Sequence, residues 1–242
     1  MNTARLRALA WVSLVAVPLL LAVIELFHPG QFTADPGMSA FLSHPHDGGM
    51  PFNVIRYFGP DWWFLMHMIQ TPLIVIIAFG LLLLTDAFGD TGAVRFNALA
   101  WVSRIATVVF MTYYTVLDGI GGIGLGRQLV VVQEMTDAGT LTAQQADAVR
   151  LFLDRMWVDH WVGGVGSFIS LTGSWAVLVA ALAAGAYLLL NRKATWLEVA
   201  LLAAFGWQLQ IAHASYHGPL ALALLAAACA LLLYRRRAGI VR

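Results

Sequence analysis

Two short motifs in this chain place metal-binding side chains at neighbouring positions of a helix. In the first, ELFHPG, Glu25 and His28 are three residues apart, which is the Glu-x-x-His spacing of carboxylate-bridged iron sites. In the second, HASYH, His213 and His217 are four residues apart, like the paired histidines of helical zinc sites. On a helix, both spacings put the two side chains on one face. Each motif therefore predicts part of a metal site.

Further ionisable side chains lie in or beside other apolar segments, namely His67, Asp118 and His160. An ionisable group inside a bilayer is costly, so it normally faces a cavity or a partner group. We expect Glu25 and Asp118 to act as catalytic acid or base. The predicted metal ligands are His28, His67, His160, His213 and His217. The alternative for each residue is interfacial placement or a structural hydrogen bond between helices.

The ligand types limit the choice of metal. Imidazole and carboxylate without thiolate favour zinc or non-haem iron. Copper is an alternative if the segment HPHDGGM contributes His44, His46 and Met50. Cys229 is the one cysteine and lies in an apolar stretch, which excludes disulfide frameworks, CxxC redox chemistry and thiolate zinc sites within the chain.

The composition indicates a membrane protein. Of the 242 residues, 60% are hydrophobic and 11% are charged, and the mean hydropathy is +0.76. Too few residues are polar to cover a soluble globule of this size. The net charge is +1 and the arginines are scattered, so the chain has no basic stripe that would make nucleic acid a partner. The oligomeric state is left open.

Apolar runs of about 20 residues, long enough to cross the hydrocarbon layer, predict an all-α bundle of six transmembrane helices. These runs cover 8–27, 62–85, 97–120, 162–190, 196–216 and 219–234. Together they form a single polytopic domain over residues 1–242. The first run has the basic start of a secretory signal, but its apolar length predicts a retained span.

The basic residues predict how the helices are oriented. If the spans alternate, one side carries Arg5, Arg7, Arg95, Arg104, Arg192, Lys193, Arg235, Arg236, Arg237 and Arg242, and the other carries Arg56, Arg127, Arg150 and Arg155. By the positive-inside rule, both termini are then cytoplasmic. All seven histidines lie in the outer half or beyond. The sequence therefore predicts a site towards the extracytoplasmic side of a bacterial inner membrane.

The segment TLTAQQADAVRLFLDRMW predicts an amphipathic helix on the outer face. Thr142 and Gln145 fit a capping box at its start. Its apolar stripe consists of Val149, Phe152, Leu153 and Met156. We expect this helix to lie on the membrane surface or over a cavity. The predicted outer aromatic belt contains Trp62, Trp63, Trp157 and Trp161.

The stretch GIGGIG at 119–124 satisfies the dinucleotide-binding pattern G-x-G-x-x-G. It follows a membrane helix and lacks the strand-turn-helix context that this pattern requires. We therefore interpret it as a flexible exit from the third span, one that lets the backbone approach the site beside Asp118.

An early histidine, an aspartate on the next span and a late HxxxH resemble the CREST superfamily of intramembrane zinc hydrolases, which includes alkaline ceramidases. The resemblance implies that His67, Asp118, His213 and His217 correspond to the polar set of that family, with zinc activating water to attack a lipid amide. That family has a serine where this chain has Trp63. The stretches ELFHPG, WWFLMH and HASYHGP also resemble uncharacterised multi-span bacterial membrane proteins, which imply no activity.

Three function classes follow from these residues. The first is a metal-dependent enzyme, a hydrolase or an oxidoreductase, acting on a membrane lipid or another apolar small molecule that enters sideways. The second is a redox protein in which His67 and His213 hold a b-type haem. The third is a transporter or assembly subunit in which the polar cluster is purely structural.

Overall fold

The computed structural model describes residues 3–28, 37–43, 59–87 and 97–237, and this part of the chain is helical and contains no strand. The all-α prediction is confirmed for these residues. The α-helices are α1 (Thr3–Trp11), α2 (Val17–Glu25), α3 (Met38–Ser43), α4 (Gly59–Ala87), α5 (Ala98–Leu117), α6 (Leu125–Asp137), α7 (Ala143–Trp157), α8 (Phe168–Leu190), α9 (Trp196–Ile211) and α10 (His217–Arg237). Two π-helical stretches, Val12–Ala16 and Asp118–Gly124, join α1 to α2 and α5 to α6.

Five helices in the described part of the chain are long and apolar enough to cross a bilayer, as expected of a membrane-embedded protein. They are Arg5–Glu25, Gly59–Thr85, Ala98–Asp137, Phe168–Leu190 and His217–Arg237. Helix α9 is apolar but has only 16 residues, so a sixth span there stays a prediction. The predicted span 162–190 starts later than expected, because residues 162–167 form turns and α8 begins at Phe168.

The long helices pack around a closed ring in the order of the chain. Helix α2 contacts α4, α4 contacts α5, α5 contacts α8, α8 contacts α9, α9 contacts α10, and α10 returns to α2. One apolar core combines buried residues from all of these helices. Because successive long helices pack as antiparallel neighbours, one end of the ring collects the ends of α2, α5 and α9 together with the starts of α4, α8 and α10.

The opposite end of the ring carries a partly buried ion pair. The Glu198 carboxylate near the start of α9 is buried and accepts a hydrogen bond from Arg235 Nη1 of α10 at 3.1 Å. Arg192 and Lys193 follow the end of α8, and α10 ends with three arginines. These basic residues therefore lie at the end of the ring opposite the one that collects the ends of α2, α5 and α9.

The glycine-rich stretch is not a flexible exit from the third span, so that prediction is wrong. The segment from Asp118 to Gly124 is a π-helix, and its flanking residues Leu117 and Leu125 both have right-handed helical dihedrals. The helix therefore continues from Ala98 to Asp137. A π-helical turn is wider than an α-helical one and is frequent at functional sites.

Helix α7 begins with the predicted capping box, which is confirmed. The Thr142 amide donates to Gln145 Oε1 at 2.9 Å, and Thr142 Oγ1 accepts from the Gln145 amide at 3.3 Å. The Asp154 carboxylate accepts bonds from the amide and the hydroxyl of Ser39, both at 2.7 Å. These bonds fasten α3 onto α7.

The predicted apolar stripe of α7 is only partly buried. Leu153 packs with Trp157 in a second apolar cluster that also contains residues of α3, α4 and α6. Phe152 is 62% exposed, and Val149 and Met156 are also exposed. Helix α7 therefore packs against the end of the ring through Leu153 and Trp157, and the rest of its apolar stripe is exposed. Its placement on the outer face of the membrane stays a prediction.

Candidate metal centre

Three imidazole rings meet at the end of the ring that collects the ends of α2 and α9. His28 follows α2, His67 lies in α4, and His213 lies in the turn between α9 and α10. Their ligand nitrogens all lie within 4.8 Å of one another. Zinc–nitrogen bonds of about 2.0–2.1 Å place two ligands of one ion no more than about 4.2 Å apart. Small side-chain rotations therefore bring these three rings to bonding distance of one metal ion.

His28 is held beside Glu25 by a tight turn. After α2 ends, the amide of His28 donates to the carbonyl of Glu25 at 3.1 Å, and the two preceding residues make the same three-residue bond. In a turn of this type, side chains three residues apart lie directly above one another. The Glu-x-x-His spacing of ELFHPG therefore keeps both side chains on one side of the chain, as predicted.

His67 has the orientation of a metal ligand. Its Nδ1 lies 2.7 Å from the backbone carbonyl oxygen of Trp63. A carbonyl oxygen only accepts hydrogen bonds, so Nδ1 carries the proton and Nε2 carries the lone pair. Metal-binding histidines are commonly oriented by such a second bond to a carbonyl group. The ring of His67 is therefore prepared to bind through Nε2.

The π-helical stretch positions His67. A Cβ atom on Gly122 would collide with the His67 ring, so only glycine lets the two helices approach at this point. The Trp63 indole Nε1 donates to the carbonyl oxygen of Gly121 at 2.9 Å. Residues Gly121 and Gly122 of GIGGIG therefore hold the α4 turn that carries both Trp63 and His67.

His213 lies in a tight connection between two helices. Ala212 is extended and ends α9, while Gly218 permits the turn because a Cβ atom there would collide with the His213 carbonyl oxygen. His213 is half-buried and contributes one of the three ligand nitrogens of the cluster. A neutral imidazole is the form that binds a metal.

Two carboxyl groups lie beside the histidines. Glu25 is 2% exposed and Asp118 is 1% exposed. Asp118 Oδ2 accepts a bond from Thr71 Oγ1 at 3.3 Å. Among the described residues, Glu25 Oε2 and Asp118 Oδ1 have no hydrogen-bond partner. Buried polar atoms are rarely left in this state, so both oxygens are suited to a ligand.

Tyr114 and Gln70 are site residues that are not among the catalytic or metal-binding residues predicted from the sequence. The Tyr114 hydroxyl and the Gln70 amide are buried and have no hydrogen-bond partner within the described part of the chain. The Tyr114 ring centroid lies 5.4 Å from that of His213. Their spacing in the sequence indicates this position. Tyr114 is four residues before Asp118, and Gln70 is three residues after His67, so each lies on the same helix face as a predicted site residue.

A small cavity lies beside His67, Asp118 and His213. Its volume is about 20 Å³, enough for one water molecule or ion. Its lining residues are Trp63, His67, Leu117, Asp118, Gly121, Gly122, Trp157, Val165 and His213. Two of the three clustered histidines and one carboxylate therefore face a space the size of one small ligand.

Two predicted metal ligands lie outside the cluster. Because α9 ends at Ile211 and α10 begins at His217, His213 and His217 do not share one helix face, and that prediction is wrong. His217 Nδ1 lies 2.7 Å from Gln208 Oε1. His160 is exposed, and its ring packs edge-on against Trp161. His44, His46 and Met50, the predicted copper ligands, lie outside the residues that the structure describes.

Two tryptophans predicted for the aromatic belt are buried in the site instead. Trp63 is 1% exposed, and its ring centroid lies 4.5 Å from that of His67 and 5.2 Å from that of His28. Trp157 packs against Trp63 and is also buried. Trp161 is exposed, as an interfacial residue would be. Hydropathy could not separate the buried tryptophans from the exposed one, because all three have the same residue type and occur near the boundaries of apolar segments.

Comparison of the chain with models of protein families, with curated proteins and with solved structures finds no match. The resemblance to the CREST superfamily is therefore limited to the four residues His67, Asp118, His213 and His217. The cluster contains His28, which is not in that set, and leaves out His217, which is in it.

Proposed function

We propose that His28, His67 and His213 bind one zinc or non-haem iron ion in an enzyme that acts on an apolar substrate within the membrane. The convergence of three imidazoles, from three separate segments of the chain, carries this proposal. Three protein ligands leave a further coordination position open, as in catalytic metal sites. Imidazole ligands without thiolate fit zinc and iron, and they also admit copper.

The residues around the histidines supply the remaining chemistry. A bound metal ion provides Lewis-acid activation of water or of a substrate carbonyl. Asp118 faces the same cavity as His67 and His213 and has an oxygen atom available to accept a proton. The Thr71 hydroxyl holds the other oxygen of that carboxylate. Glu25 lies on the His28 side and is the second acid or base of the proposed site.

The geometry argues against the two other function classes. A haem between His67 and His213 would need a pocket of roughly 300 Å³ or more, whereas the cavity there measures about 20 Å³. A purely structural cluster would satisfy its own polar atoms. Instead, buried atoms of Glu25, Gln70, Tyr114 and Asp118 have no partner among the described residues, and leaving each such group unpaired costs about 1–3 kcal/mol.

The proposed enzyme has its termini in the cytoplasm of a bacterium and its histidine cluster towards the extracytoplasmic side. Among the described residues, the basic side chains that follow α8 and end α10 lie at the end of the ring away from the histidines, which supports this orientation. A reporter fused after Arg242 should be active in the cytoplasm, and one inserted at Thr140 should be active outside. The reverse pattern would place the site at the cytoplasmic face.

Replacement of Asp118 by Asn should separate metal binding from catalysis. We expect Asp118→Asn to retain its metal and to lose turnover by about 10²–10⁴-fold, the usual contribution of a general acid or base. Turnover is measured by mass spectrometry of products after incubation of the metal-loaded protein with vesicles of bacterial lipid extract. The control is Asp147→Asn, at an exposed position of α7. Full turnover in Asp118→Asn, or no product from the wild type, would contradict the proposed role.

A further inference from the structure

A second cavity lies next to the histidine cluster. It has a volume of about 350 Å³, within the usual range for small-molecule sites. It is lined by Gly119, Ile120, Gly121, Gly124, Leu125, Gln128, Phe152, Leu153, Met156, Trp157, Val162, Gly163 and Gly164. Gln128 is the only polar side chain in this set. The cavity therefore suits a ligand that is apolar over most of its length.

The Trp157 indole separates this cavity from the one beside the histidines. Trp157 and Gly121 line both cavities. Gly164 packs directly against the indole, because a Cβ atom there would collide with its ring carbons. A Cβ atom on Gly163 would collide with the backbone of Trp157 and Asp159, so this turn is close-packed around the end of α7. The Asp159 carboxylate fixes the intervening turn by accepting bonds from two backbone amides at 2.9 Å, which lowers its pKa. A ligand in the larger cavity is therefore one aromatic ring away from the proposed metal site.

The larger cavity has an apolar rim. Ile120 of the π-helical stretch and Phe152 and Met156 of α7 line the cavity and are also exposed on the surface. Exposed apolar side chains that surround a cavity mark a contact with lipid or with an apolar ligand. In a chain with five membrane-length helices, this rim is suited to the entry of a hydrocarbon chain.

We infer that the larger cavity binds the hydrocarbon chain of an amphiphilic substrate taken from the membrane, with its polar group directed past Trp157 to the histidine cluster. This inference rests on the proposed function. It adds a subsite for the hydrocarbon chain of the substrate, and it names Trp157 as the residue that separates this subsite from the metal site. The apolar lining, the apolar rim and the wall shared with the small cavity together favour this occupant over a polar ligand.

Photolabelling of the full-length protein tests the subsite. The probe is dodecanol carrying a diazirine on its terminal carbon, and labelled peptides are identified by mass spectrometry. We expect labels within 118–124 and 143–157 that unlabelled dodecanol competes away. Gly119→Phe should lower labelling about tenfold by filling the cavity, since a Cβ atom at Gly119 meets no other atom within 4 Å. Gly119→Ala is the size control and should label almost as the wild type does.

A second variant guards against misfolding of Gly119→Phe. Phe152 is mostly exposed, so Phe152→Ser removes part of the apolar rim without opening a buried cavity, and it should also lower labelling. Labelling that is unsaturable, spread over other apolar faces, or unchanged in both variants would overturn the inference.

The metal content of the same samples separates this inference from the proposed function. His67→Gln should label as the wild type does, because no histidine of the described residues lines the larger cavity, and Gly119→Phe should keep its metal. Saturable labelling of a wild type that contains no metal would contradict the proposed metal site but would still support the hydrocarbon-binding subsite. Loss of metal from Gly119→Phe would show that the two cavities are not separate sites.

Discussion

Replacement of His67 by Gln is expected to remove stoichiometric metal from the purified protein while the helical bundle stays folded. The Gln side chain cannot offer an imidazole nitrogen, and loss of one of three ligands should weaken binding by more than the roughly 10–100-fold that follows loss of a supporting residue. His28→Gln and His213→Gln should behave alike. The measurement is metal per mole of protein by mass spectrometry, with circular dichroism and gel filtration to verify folding.

The chain supplies two matched controls for these variants. His160 is exposed and His217 pairs with Gln208, so His160→Gln and His217→Gln should keep the metal of the wild type. Loss of metal from His217→Gln would support the pairing of His213 and His217 predicted from their spacing in the sequence, and would count against the cluster formed by His28, His67 and His213.

Replacement of Gly122 by Ala is expected to destabilise the protein and weaken metal binding together. The added methyl group would collide with the His67 ring, so either the ring or the contact between α4 and the π-helical stretch must move. Overpacking of this kind costs about 1–3 kcal/mol of the free energy of unfolding. Unfolding in detergent, followed by circular dichroism, gives the loss of stability, and metal analysis gives the loss of binding.

Gly119→Ala is the matched control, three residues earlier in the same π-helical stretch. A Cβ atom there meets no other atom within 4 Å. The substitution should therefore be neutral, or it should stabilise the protein by about 0.4–1 kcal/mol because alanine lowers the conformational entropy of the unfolded chain. Equal stability losses in Gly119→Ala and Gly122→Ala would show that the effect belongs to the backbone of the stretch and not to contact with His67.

The membrane helices were largely predictable, because their apolar length is set by the bilayer and is a local property of the sequence. Their ends were less predictable. The extended Ala212 ends α9 at Ile211, and this removes the helix face that His213 and His217 were expected to share. A spacing of four residues predicts a shared face only if the helix continues between them.

The proximity of the three histidines was partly predictable from the sequence. His28, His67 and His213 lie at helix ends that an alternating topology brings together, so their proximity follows from the order of the spans. The contacts within the site were not predictable from local patterns. A tryptophan near the end of an apolar segment, such as Trp63, is typical of a membrane interface. Its burial against His28 and His67 depends on the packing of helices that are far apart in the chain.

The role of GIGGIG could not be derived from its glycines alone. The same residues suit a flexible exit or a close contact between helices, and only the partner helix decides between them. The structure provides that partner, because the His67 ring occupies the space where a side chain of residue 122 would lie.

X-ray absorption at the metal edge of the purified, metal-loaded wild type is the most direct measurement of the three-histidine site. If the metal is zinc, we expect imidazole scattering from three nitrogen ligands at about 2.0–2.1 Å, and a smaller imidazole contribution in any residual metal bound to His213→Gln. A spectrum without imidazole scattering, or one that is the same in the wild type and in His213→Gln, would contradict a metal site formed by His28, His67 and His213.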